Sequence, residues 1–439
     1  MTRIPLILLL FLPWLLPAQT EQYCISGRFS ETPYFDSSEI RVERGIAFSF
    51  PRRWPGTGTD TLRMDVYMPD TLADPLQKRP CIVFFFGGAW LTGSRSDAGI
   101  RQKCHEWARR GFVAIAPSYR LGWNCLASDL LTVCLLCQGI YYDMNTAVYR
   151  GAQDARAAFR FIHHNARRWQ IDTNAVWAGG ESAGSINALH AANWTPAYAR
   201  RVFNGGPYRI LGALDSAGAL PGQSFRLQGL INHCGAVVSD TAMPYARLPL
   251  VQFHDAGDCV VPYRNDRILA CCATSFFFAR GSFRLHERSL AVDAVSELHT
   301  IPGAAPQHCS YPSLALVQES SCFIKRNFCG TLASSNQTYP TNPPVSCSAM
   351  QQTGAQPMLA VTWKIQPNPA GEYATVNGLP VRAQLRILDL NGKILQVPLE
   401  PKDGACVIPV QNISAGVYLL QVEHAGQVHH TRFLVQHGR

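Results

Sequence analysis

Two hydrophobic patterns divide this chain. Up to about residue 330 the apolar positions come in short runs: CIVFFF at 81–86, AVWA at 175–178, LPLVQF at 248–253 and the more mixed ELHTI at 297–301. Runs of this length bounded by glycine or polar loops predict buried strands. A helix-like stretch begins at Ser310. From 331 to 358 periodicity gives way to Ser, Thr, Asn, Gln and Pro, including Pro340, Pro343 and Pro344, which predicts a linker. Beyond Pro367 the pattern alternates, as in AQLRIL at 383–388 and GVYLLQV at 416–422, with turn pairs at Asn391-Gly392 and Ala425-Gly426. That rhythm predicts a small all-β sandwich of about seven short strands.

The run at 175–178 leads into Gly180-Glu181-Ser182-Ala183-Gly184, a GxSxG sequence. At the end of a strand this motif turns sharply into a helix and exposes the serine hydroxyl on a strained backbone. A serine hydroxyl is a weak nucleophile until a histidine takes its proton, and the histidine needs a carboxylate to hold its tautomer. Chains with such an elbow carry these groups in the order serine, acid, histidine. Downstream of Ser182, Asp258 lies in the polar loop after 248–253, and His308 lies in the loop after 297–301. They are the predicted acid and base, with Asp255 and His299 as rivals; His254, His163 and His164 are read as structural. The oxyanion needs backbone donors from two parts of the chain. The strand 81–86 runs into Gly87-Gly88-Ala89-Trp90, so the amides of Gly88, Ala89 and Ala183 are assigned to it.

Composition narrows the class. The chain has 439 residues, 47% hydrophobic and 16% charged, enough for one large core and a smaller unit. Its net charge of +9 comes from scattered arginines without basic runs interleaved with aromatics, which argues against nucleic-acid binding. The N-terminus has a basic start, an apolar stretch too short to span a bilayer and Ala18 at a plausible cut, the pattern of a signal peptide over 1–18. No later run has transmembrane length. Fifteen cysteines fit an oxidising destination, and the odd total leaves at least one without an intrachain partner. No CxxC pair recurs with histidine at zinc spacing, so neither a metal nor another cofactor is expected. Cys134 and Cys137 sit in an apolar insertion at 121–142, read as a disulfide-tied flap. Cys259 follows Asp258 and Cys309 follows His308; if acid and base are hydrogen-bonded, a Cys259–Cys309 disulfide becomes sterically plausible.

Over roughly 50–330 the chain resembles the α/β-hydrolase carboxylesterases of the type B and hormone-sensitive-lipase-like branches. The resemblance rests on FFFGGAW, Pro117-Ser118-Tyr119-Arg120, AVYRGAQDARAAFRFIHHNARRWQID as a long helix, GESAG, HDAGDCVVPY and ELHTIPG, in family order. It implies a mostly parallel sheet with helices on both faces and hydrolysis of small-molecule or polymer-linked esters through Ser182, Asp258 and His308. Two departures are visible: Phe86 replaces a histidine common in relatives, and Ala89 replaces a third glycine; neither removes a backbone donor. A prolyl-oligopeptidase-like peptidase is the alternative, disfavoured by Glu181 beside the serine and by the short region before Phe50; a non-catalytic adhesion protein on the same fold is another.

The last eighty or so residues resemble the type A C-terminal sorting domain of the type IX secretion system, through PNPAGEY, LRILDLNGK, ISAGVYLLQV and TRFLVQ. That likeness implies an immunoglobulin-like sandwich, a Gram-negative bacterium, and secretion or cell-surface attachment by way of that machinery. The resulting division is a signal peptide (1–18), a catalytic domain (19–330), a linker (331–360) and a sorting domain (361–439).

Overall fold

The computed structural model describes residues 23–24, 27–339, Cys347 and 364–437, with interruptions at 75, 124–140, 205, 219, 239–246, 273–275, 304–307, 369, 380–382, 390–392, 400–403 and 425–426. The signal peptide and the cysteines of the 121–142 insertion lie outside the described residues. The chain separates into two compact units, Met1–Gln351 and Gln352–Arg439.

The first unit is built on nine strands: β1 (Ile40–Ser49), β2 (Leu62–Pro69), β3 (Arg79–Phe85), β4 (Val113–Pro117), β5 (Ile171–Glu181), β6 (Gly229–His233), β8 (Leu250–Asp255), β11 (Ser296–Ile301) and β12 (Ser335–Thr338). Between them in the chain, β7 (Ala236–Val237), β9 (Asn265–Arg267) and β10 (Phe278–Gly281) make a small side sheet. The spatial order of the main sheet is β1-β2-β4-β3-β5-β6-β8-β11-β12. β2 runs antiparallel to both β1 and β4, and every later neighbour is parallel. This order, with described helices in every connection between successive parallel strands except β6 to β8, is the α/β-hydrolase fold.

The apolar runs explain the middle of the sheet. All seven residues of β3 are buried, as is every residue of β4, β6 and β8, because helices cover both faces. The helix Tyr141–His164 packs against the helix Ala183–Asn193, and the helix Ala98–Arg109 against Ser313–Phe328. Two boundaries differ from the sequence reading. The long helix stops at His164, short of Asp172, because a 3-10 turn at Ala166–Trp169 and a left-handed Gln170 (φ 52°) turn the chain into β5. The predicted linker is partly structured: β12 pairs with β11, and Cys347 is disulfide-bonded to Cys322 in the helix Ser313–Phe328.

Among the described residues the second unit holds seven strands in two sheets, as the alternation predicts. β13 (Lys364–Gln366), β14 (Tyr373–Asn377) and β17 (Ala405–Pro409) form one; β15 (Gln384–Leu388), β16 (Ile394–Leu395), β18 (Gly416–His424) and β19 (Gln427–Val435) form the other. Ala374, Val376, Ile387, Ile408, Leu420 and Val422 make its own core.

Candidate active site

β5 ends at Glu181 and the next helix starts at Ala183, so Ser182 makes the whole turn, with φ 52° and ψ −121°. Positive φ in a non-glycine residue costs on the order of 1–3 kcal/mol and persists where the surroundings enforce it. The close approach explains the flanking glycine: a Cβ on Gly180 would lie 2.3 Å from the carbonyl carbon of Gly184. The Ser182 amide donates to the His233 carbonyl at the end of β6 (2.9 Å).

β3 delivers the second wall. After Phe85 the chain turns through Gly88, Ala89 and Trp90, all at positive φ (117°, 51° and 58°). Gly88 is obligatory, since a Cβ there would sit 2.2 Å from the Thr92 carbonyl oxygen. The Gly88 carbonyl accepts from the Leu91 and Thr92 amides, the Trp90 indole donates to Asn187 Oδ1 (2.8 Å), and the Trp123 indole donates to the Ala89 carbonyl (2.9 Å). The Tyr119 hydroxyl donates to the Phe86 carbonyl (2.9 Å). These contacts tie the loop by its carbonyls. A Cβ placed on Gly87 would lie 3.3 Å from Ser182 Cβ, so loop and serine are neighbours.

Asp258 and His308 meet as the loop pattern predicts: His308 Nδ1 lies 2.7 Å from Asp258 Oδ2. The other carboxylate oxygen, Oδ1, accepts from the amides of Val260 (2.8 Å) and Val261 (3.0 Å). Burial by itself would raise the Asp258 carboxyl, but the hydrogen bonds and charge of His254 and His308 outweigh it and hold the group at about 2. Ser182, His308, Gly88 and Ala89 line one cavity of about 770 Å³, together with apolar Leu91, Val260 and Leu269 and polar Lys103, Glu181 and His233. Among the described residues no hydrogen bond joins Ser182 Oγ to His308; catalytic contacts of this kind commonly tighten only when substrate binds.

Glu181, beside the serine, is a charged part of this wall. Its Oε2 lies 2.9 Å from Lys103 Nζ and 3.4 Å from His233 Nδ1. Burial opposes its ionisation, yet His233 and Lys103 hold its carboxyl well below the usual range.

The rivals take other places. His299 is buried within β11 and bonded to Glu297 Oε1 (2.8 Å). Asp255 ends β8 and its carboxylate accepts from the amide (2.9 Å) and hydroxyl of Ser310, two residues beyond His308, so it anchors the loop that carries His308. His254, read as structural, is 3.3 Å from Asp258 Oδ2 through Nε2 and contacts Ser282 Oγ through Nδ1 (2.7 Å). The polar pair His254-Asp255 closing an apolar strand was the available signal for both.

The cysteine expectation is corrected. Cys309 is bonded to Cys234, which directly follows β6, and Cys259 to Cys271. Cys309 stands at φ 51° and Cys234 at φ 46°, so both loops turn at the bond; Cys259 closes a loop within its own segment. Cys24–Cys329 ties the start of the described chain to the end of the helix Ser313–Phe328. Cys81 and Cys104 are buried thiols outside any disulfide.

Among curated proteins, the chain is 31% identical to the neuroligin-like protein glit-1 of Caenorhabditis elegans over 128 residues, 29% of this chain and 15% of that protein. It is 29% identical to the cAMP-regulated D2 protein of Dictyostelium discoideum over 150 residues, 34% of this chain and 24% of that protein. The chain thus spans under a quarter of the length of these relatives. Among solved structures, it is similar to esterase 2 of Thermogutta terrifontis phosphorylated by paraoxon, with 18% identity, 68% of this chain and 98% of the other covered and a TM-score of 0.42. The apo form of that protein gives 19%, 66%, 97% and 0.42. Residues 364–436 match the family model of the secretion system C-terminal sorting domain, which makes the C-terminal unit a sorting domain joined to a unit of α/β-hydrolase fold.

Proposed function

We propose that the first unit is a serine esterase that hydrolyses carboxylic esters through an acyl-enzyme. The observation that carries this reading is the strained Ser182 turn opening on the same cavity as His308, whose Nδ1 is held by Asp258. In the proposed cycle Ser182 Oγ attacks the ester carbonyl while His308 Nε2 takes the hydroxyl proton. The amides of Gly88, Ala89 and Ala183 receive the developing oxyanion. His308 then gives its proton to the departing alcohol, and in the second half it activates water to free the acid. Asp258 stays ionised throughout and stabilises the imidazolium, for which a carboxyl held at about 2 is suited. Every proton moves between Ser182, His308, alcohol and water, so the cycle calls for no cofactor.

The cavity wall divides between apolar residues such as Leu91, Val260 and Leu269 and charged ones such as Lys103 and Glu181. An ester with an apolar acyl or alcohol part of moderate size matches that division. The C-terminal unit supports export by the type IX route, to the medium or the cell surface; among the described residues no helix is long and apolar enough to cross a membrane.

Turnover of p-nitrophenyl esters from acetate to palmitate tests the reading, beside peptide p-nitroanilides. The expected result is ester turnover that falls by at least about 10⁴-fold in Ser182→Ala, and by about 10³–10⁴-fold in Asp258→Asn with the fold retained. Peptide turnover without ester turnover would favour the peptidase, and inactivity on both would overturn the catalytic reading.

A further inference from the structure

A second cavity, of about 330 Å³, lies on the same edge of the sheet as the candidate active site, toward β1. β1 and β4 both run antiparallel to β2, so their C-terminal ends share that edge. Pro51 to Trp54 follow the end of β1, and Arg120 follows the end of β4. Together with Arg209 they line the cavity.

Four arginines reach it: Arg52, Arg53, Arg120 and Arg209. Two are neutralised within the protein. Arg53 pairs with Asp60 (2.8 Å), and Arg120 with the buried Asp154 (2.7 Å). Arg52 and Arg209 are exposed, and neither guanidinium has a hydrogen-bond or ion-pair partner among the described residues.

The other polar groups of the wall are already used. Gln153 donates to the carbonyls of Leu211 (3.2 Å) and Ala213 (2.8 Å) and accepts from Arg120. Ser216 donates to the Ala213 carbonyl (2.7 Å). The unengaged groups facing the space are therefore cationic donors, beside the apolar surface of Trp54, Ile210 and Leu211. The backbone beneath is fixed, since Arg120 donates to the Arg52 carbonyl (2.8 Å), the Arg150 guanidinium donates to the Trp54 carbonyl, and that guanidinium lies 5.7 Å from the Trp54 ring.

Two guanidinium groups in one cavity wall, neither with an acidic partner among the described residues, select an oxyanion, which a guanidinium fork can bind in bidentate fashion. The apolar wall and a volume at the lower limit for small-molecule sites add a preference for a ring of monosaccharide size. We propose that this cavity is an anion-binding site for a carboxylate-bearing sugar ring, with Arg52 and Arg209 holding the carboxylate. The site is independent of the esterase reading, because its ligand touches none of the residues of the proposed cycle.

Isothermal titration of the full chain with D-galacturonate, D-galactose and sulfate tests it. The expected result is saturable galacturonate binding, no galactose binding at tenfold higher concentration and weaker binding of sulfate. Galacturonate affinity should fall at least tenfold in Arg52→Gln/Arg209→Gln, and should fall with added NaCl as an exposed ion pair requires. Both side chains are exposed and unpartnered, so the double variant should keep its melting temperature; Arg209→Glu alone is a second variant that should abolish binding. No galacturonate binding, equal binding of galactose, or unchanged binding in the variants would overturn the proposal, and sulfate binding as tight as galacturonate would overturn the sugar preference.

Discussion

His190 shows how one buried side chain sets a pH limit on this fold. It lies in the helix after Ser182, its ring stacked on Trp194 with centroids 4.1 Å apart, and its Nε2 accepts from the Val238 amide (3.0 Å). Only the neutral ring can accept that bond, and burial pushes its protonation down to about 3. An unfolded histidine titrates near 6.5, so between about 6.5 and 3 the unfolded chain binds a proton that the folded one refuses. Stability should fall as pH drops through that window, with a slope approaching about 1.4 kcal/mol per pH unit from this residue. Urea titrations at pH 7 and pH 5 should show a smaller difference for His190→Gln than for the parent; an equal difference would remove His190 as a source. None of this was legible in the sequence, because a histidine in an apolar helix does not announce its partner. The positions of Ser182, Asp258 and His308 were legible, because each follows a strand in a turn or loop where chain order and loop chemistry restrict the choice. The contributions of His254 and Asp255 depend on which atoms face the next loop, and spacing does not encode that.

Strands and loops hold these residues in register, and the Cys234–Cys309 bond joins two of the loops that matter most. Cys309 is the neighbour of His308, and Cys234 is the neighbour of His233, whose carbonyl accepts the hydrogen bond of the Ser182 amide. The bond thus links the loop of His308 to the strand whose end holds the Ser182 amide, across 75 residues of chain. Loss of a native bridge of this kind typically costs about 2–5 kcal/mol. Cys234→Ser/Cys309→Ser should therefore lower the urea midpoint, and ester turnover should fall through kcat more than through KM, since the base would lose its position while the cavity keeps its walls. A variant with lower stability but unchanged kcat would show that Asp258 and Asp255 suffice to place His308. Sequence spacing suggested a staple at this loop and chose the wrong partner. Adjacency of Asp258 and His308 says nothing about where their neighbours point, and Cys234 comes from a strand end that carries no motif. Strand β12 was hidden for a related reason: Ser335-Asn336-Gln337-Thr338 is polar, and it pairs at the sheet edge with its side chains partly or fully exposed, where apolar patterning is not required.

At the scale of the molecule, each unit has its own hydrophobic core, so each should fold without the other. The alternation beyond residue 364 foretold the smaller unit because a sandwich with one face buried demands that period. Where the larger unit ends was less legible, since Ser- and Pro-rich composition reads as linker even when part of it is pinned to a sheet. Ending the chain at Gly330 removes β12, leaves the outer edge of β11 unpaired, and deletes Cys347, the partner of Cys322. Ending it at Gln351 keeps all three features. The longer form should melt several degrees above the shorter one, given the roughly 2–4 kcal/mol typical of a disulfide and the few degrees of melting temperature that each kcal/mol represents in a domain of this size. Both forms should retain Ser182-dependent ester turnover at low temperature, because β12 lies at the edge farthest from β1 and supplies no residue to the cavity that Ser182 lines. Equal melting temperatures would show that the strand and its bridge contribute nothing to the stability of the first unit, and a loss of turnover in the longer form would show that the sorting domain is needed for turnover as well as for export.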